Sequence, residues 1–167
     1  MAAFRDRLTR LHPAWSLLLI AASICTAVLA ITYQAFDLHL ASTLVVCLLT
    51  LLWAHGVYDR AKLSAPDSSG GRGASRLFIA TEMGAAGLAA IMLMVGFEGV
   101  GSVFGSLTPL IALPYFVCLW LAATALSHAE ARGKAASGAT LGTFLLIVYW
   151  VIGVWFVRSR LKRLEAT

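Results

Sequence analysis

Glu82 is the carboxylate set clearly inside an apolar run of this 167-residue chain, the run 77–96. A charge at that depth is expensive, and an intramembrane acid marks proton or cation handling by default. Glu82 stands six residues past Arg76, about 9 Å along a helix at 1.5 Å per residue. Helical spacing sets it on one face with Ala85, Ala86 and Ala89. The competing role is structural glue, with Glu82 neutralised by Arg76 or by a basic partner. Structural glue is the role carried forward.

Two histidines fall near the same depth. His55 closes the run 38–54 and His128 follows the run 107–126. If both runs pass from outside to inside, His55, His128 and Glu82 gather on one side. Imidazole titrates near neutral pH, so the three could form a proton relay. His55 and His128 could also clamp a b-type haem between two helices. No cofactor is expected, and haem is the exception these residues leave open. Asp37, His39 and Glu98 could supply three metal ligands, but without a metal-site spacing they read as solvated turn residues. Cys25, Cys47 and Cys118 show no CxxC spacing and read as small buried hydrophobes. There is no nucleotide-binding glycine loop, HExxH or nucleophile elbow, so no catalytic residue and no metal ligand is assigned.

The elements that must position these residues are five apolar runs: 14–32, 38–54, 77–96, 107–126 and 139–157. Each approaches the ~20 residues that cross ~30 Å of hydrocarbon as a helix. Hydrophobic residues make up 60% of the chain, charged residues 13%, and the mean hydropathy is +0.84. A soluble domain is roughly a quarter charged, so a water-facing globule is excluded. The runs lack the alternation of a membrane β-barrel, and backbone in lipid must otherwise satisfy itself in helices. The expected fold is all-α: one integral-membrane domain, residues 1–167, with five transmembrane helices. Four crossings plus one re-entrant or tilted element is the alternative. Pro109 and Pro114 make the fourth run the weakest ordinary helix.

Lys and Arg number three before the first run, four in the loop 58–76 and two in the loop 127–138, against none in the two intervening turns. This asymmetry places the N-terminus and both loops in the cytoplasm, across an inner membrane or an organelle membrane with similar charge statistics. Five crossings then put Arg158, Arg160, Lys162 and Arg163 on the opposite side, against the same rule. The net charge of +5 belongs to these flanking segments, so lipid headgroups rather than nucleic acid are its expected contact.

In lipid, small residues mark helix interfaces. The third run supplies Thr81, Gly84, Ala85, Gly87 and Ala89, and Gly138 with Gly142 opens the fifth. The third helix should therefore sit centrally or against a partner. Trp15, Trp53 and Trp155 are placed at membrane boundaries, Trp120 and Trp150 deeper. Together these features suggest a non-catalytic membrane subunit, a scaffold or stabilising component of a larger complex. Its partners would be lipids and other subunits or further copies of itself. The alternatives are a small transporter or channel component using Glu82, and a redox or lipid-modifying protein using the histidines.

Overall fold

The computed structural model describes residues 2–11, 14–33, 36–64, 72–95, 97–131 and 137–165. Among them every regular element is an α-helix: α1 (Ala2–Arg10), α2 (Ala14–Tyr33), α3 (Phe36–Ser64), α4 (Arg72–Val95), α5 (Phe97–Glu130), α6 (Ser137–Val148) and α7 (Trp150–Glu165). Three of them carry segments long and apolar enough to cross a membrane: Ser42–Ser64, Gly73–Ile91 and Ala112–Glu130. A fourth candidate is the pair α1 and α2, which meet at 99°.

α3 is the hub. It packs against α1, α2, α4, α5 and α7. It continues to Ser64 because Val57, Tyr58 and Ala61, beyond the apolar run, are buried in the core. Trp53 is buried there too, at 2% exposure. Phe78 from α4, Leu119 and Leu126 from α5 and Ile147 from α6 complete that core. The central helix is thus α3, not the small-residue helix α4. Large apolar side chains on α2, α4, α6 and α7 point outward, among them Leu18, Met83, Leu141 and Ile152. Such extensive outward apolar surface is foreign to a soluble monomer and natural against lipid.

Two runs depart from expectation. α5 passes through Pro109 and Pro114 as one 34-residue helix. Residues 97–106, between the third and fourth apolar runs, belong to that helix. The break falls instead in the fifth run, which is two short helices. Tyr149 N–H still donates to the Leu145 carbonyl at 2.8 Å, and Gly153 N–H closes the next turn on the Tyr149 carbonyl at 3.0 Å. Between them the chain reverses. The backbone of Gly153 then lies so close to the Leu146 carbonyl that a Cβ has no room. Arg160 reaches Thr143 at 2.9 Å, although a continuous helix would hold the two residues about 25 Å apart. α6 and α7 therefore form a helical hairpin rather than one continuous helix.

Polar contacts fasten that hairpin to α5. Thr143 accepts from Ser127 at 3.0 Å and donates to the Ala139 carbonyl at 2.8 Å. Arg160 forks onto both Glu130 carboxylate oxygens.

Candidate functional site

The short helix α1 packs on α3. It presents Arg5, Asp6 and Thr9 to α3. Gly56 makes this approach possible: a Cβ there would stand 2.8 Å from Thr9 Cγ2 and 2.9 Å from the Arg5 carbonyl oxygen. Two acid–base contacts flank that glycine. Arg5 Nη2 meets Asp59 at 3.1 Å, and Arg60 donates through Nε and Nη2 to Asp6 at 3.1 and 2.7 Å. Arg60, then Arg10, holds the Asp6 carboxyl below its ordinary value of 3.8.

Beyond this contact Arg5 enters the bundle. Its Nη1 lies 2.9 Å from His55 Nδ1 and 3.9 Å from Glu82 Oε2. His55 Nδ1 is 2.7 Å from Glu82 Oε1, and His55 Nε2 is 3.7 Å from Asp59 Oδ1. The His55 ring is fully buried and stacks on Phe78, one helical turn before Glu82, with centroids 4.5 Å apart. Three helices thus meet through one charged cluster: Arg5 from α1, His55 and Asp59 from α3, Glu82 from α4.

The chemistry of Nδ1 constrains this cluster. A ring nitrogen either carries a proton or offers one lone pair. It cannot donate to Glu82 and accept from Arg5 at once. A 2.7 Å approach to a carboxylate oxygen needs a proton between the two atoms, and Arg5 then acts on the two acids rather than on the ring. With both ring nitrogens protonated, Arg5 and His55 cancel Glu82 and Asp59; with one proton fewer the cluster carries −1. Taking such charges out of water costs several kcal/mol per ion, returned only by close pairing.

The neutralising base is Arg5, 77 positions upstream in sequence, rather than Arg76, whose side chain is exposed. His128 is half-buried, and among the described residues it has no hydrogen bond, ion pair or ring contact with the cluster. Among the described residues His55 meets Glu82, Asp59 and Arg5, and no contact joins it to His128. No group of three or more His, Cys, Asp or Glu among the described residues is arranged to hold a metal ion. Asp37, His39 and Glu98 have side chains outside the described ones, as does Trp150. Cys118 is buried and faces Thr81 at 3.7 Å, whereas Cys25 is exposed on the outer surface of α2.

The small residues divide between two faces. Thr81, Glu82 and Ala85 are buried, and Ala89 is half-buried. Gly84 and Gly87 face outward with nothing within 4 Å of a Cβ, as do Gly138 and Gly142 on α6. Packing within the chain uses the first set and leaves the glycines open.

Sequence reasoning missed Arg5, Asp6, Asp59 and Arg60 as members of the site. The one-face spacing of Arg5, Asp6 and Thr9 makes them neighbours on α1 but does not say that their partners lie on α3 and α4.

Fold and site together define an all-helical protein with three long apolar candidate spans and a buried charged junction of three helices. No protein-family model, curated protein or solved structure matches the chain.

Proposed function

We propose that the chain is a non-catalytic integral membrane subunit, a stabilising or assembly component of a larger inner-membrane complex, attached through the outer face of α4. The observation that carries this reading is the outward stripe Ala80, Met83, Gly84, Gly87, Ala90 and Met94, exposed along α4 with open space over both glycines. Without a hydrophobic drive in lipid, helices associate where small residues admit a close backbone approach. The opposite face of α4 is already occupied by His55 and the α5 core. Glu82, ion-paired within the chain, serves as internal glue, which weighs against a transport role for it.

Mild detergent extraction from the native membrane should yield the chain in an assembly well above its own 17.8 kDa. Gly84→Leu with Gly87→Leu should release it while leaving its helicity and melting temperature unchanged. A fully stable lone monomer from the wild type would overturn the proposal.

The same reading includes four crossings, by α2 to α5, with α6–α7 as a re-entrant hairpin and both termini in the cytoplasm. In support, Arg10, Arg60, Arg158 and Lys162 line one cleft at one end of the bundle. The basic tail then obeys the positive-inside rule that five crossings would break. In a background lacking the native cysteines, Ser64→Cys and Ser159→Cys should be labelled by a membrane-impermeant maleimide from the same side only. Labelling from opposite sides would restore the fifth crossing.

A further inference from the structure

We propose that α1 lies along the membrane surface and sinks one edge, Phe4 and Leu11, into the headgroup boundary of the lipid around α2. The proposal rests on the membrane reading above and extends it to a segment that crosses nothing. α2 has 20 residues, about 30 Å of helix, which matches the hydrocarbon thickness. α1 meets α2 at 99°, so a crossing α2 leaves α1 close to the bilayer plane. The depth agrees. α1 touches α3 at Gly56, Asp59 and Arg60, just past the end of the apolar run 38–54, where hydrocarbon gives way to headgroups.

Around α1 the side chains sort by direction. One face is spent on the bundle: Arg5 and Asp6 pair with α3, and Leu8 and Thr9 are buried. On one flank of that face stand Phe4 and Leu11, 51% and 45% exposed. Residues seven apart share a side of a helix. The Leu11 N–H donates to the Arg7 carbonyl at 3.0 Å, which carries the helical turn as far as residue 11. The other flank holds the Asp6–Arg10 ion pair. Opposite the bundle, between the flanks, Arg7 is exposed and makes no ion pair among the described residues. One apolar flank and one charged flank is the sidedness of a helix lying in the interface plane. With the Asp6–Arg10 flank in water, Phe4 and Leu11 face lipid, and Arg7 reaches the headgroups along its own apolar stem. The edge is too small for a protein: a stable interface covers roughly 800 Å² per partner. A helix already tethered to a membrane span needs only its apolar edge in the interface.

The test uses the full chain, in a background lacking the native cysteines, reconstituted into nanodiscs of phosphatidylcholine and phosphatidylglycerol. Phe4→Cys, Leu11→Cys, Arg10→Cys and Ile24→Cys each carry a nitroxide, and their circular dichroism should match that of the unlabelled chain. Collisions with oxygen, concentrated in lipid, and with a water-soluble nickel chelate report the surroundings of each label. Ile24, outward at the middle of α2, is the lipid control. The oxygen-to-nickel ratio at residues 4 and 11 should exceed that at residue 10 about fivefold, as for groups about 5–10 Å into the boundary. Labels at 4 and 11 as open to nickel as residue 10 would overturn the proposal. So would labels there shielded from both reagents, which would put protein over this edge. A nickel-accessible residue 24 would sink the membrane reading itself, whereas a lipid-facing residue 24 with 4 and 11 in water would sink this inference alone. The α4 assembly, read by extraction from the native membrane, stands or falls separately.

Discussion

Arg5→Ala should cost the folded chain about 3–5 kcal/mol, the usual consequence of removing one member of a buried ion cluster. The loss arises less from the missing attraction than from what stays behind. Glu82, 7% exposed, and Asp59 would face each other through His55 without the guanidinium that bridges them. Arg5→Lys should recover only part, since a single ammonium cannot reach Asp59 with one nitrogen and the His55–Glu82 pair with another. Reversible unfolding in mixed micelles measures both variants. Adding Glu82→Gln to Arg5→Ala should cost less than the two single losses combined, with a coupling of about 0.5–3 kcal/mol. A loss below about 1 kcal/mol for Arg5→Ala would mean that the cluster is not what joins α1, α3 and α4.

The second large effect concerns a residue with no side chain. Alanine normally improves a helix interior by about 1 kcal/mol over glycine. Gly56→Ala should do the reverse and destabilise by about 1–3 kcal/mol, because its methyl would overlap Thr9 and the backbone of Arg5. Gly56→Leu should detach α1 altogether and carry Arg5 away from its acids. Gly84→Ala, on the open face of α4, supplies the contrast and should be neutral or slightly stabilising. The same unfolding assay, with protease protection of the N-terminal segment, separates the cases. A stabilising Gly56→Ala would rule out the close packing of α1 on α3.

The helical class was legible because apolar run length is a property of local composition. Four of the five runs coincide with the apolar parts of α2, α3, α4 and α5. Their polar extensions were not legible: Val57, Tyr58 and Ala61 look like a loop start until the core that buries them is assembled. The prolines misdirected the reading of α5, since their cost depends on neighbours that a single sequence does not reveal. The reversal at Tyr149 has no proline at all, and its trace in the sequence is Gly153, meaningful only once Leu146 is known to lie against it. Glu82 and His55 could be singled out because charge in an apolar run is conspicuous. Arg5 could not, because an arginine before a membrane run has an ordinary explanation as a topology signal, and nothing in the spacing between Arg5 and Glu82 ties them together.

The charged junction also imposes an order of events on synthesis. Arg5 leaves the ribosome well before its acids, which wait on α3 and α4. At 5–20 residues per second, Glu82 follows Arg5 by roughly 4–15 s. Until α3 is made α1 has neither Asp59 nor the Gly56 notch to rest in, and until α4 follows it lacks Glu82. α1 is thus made before its partners and locked only after them, and its docking reports that α3 and α4 have arrived and met.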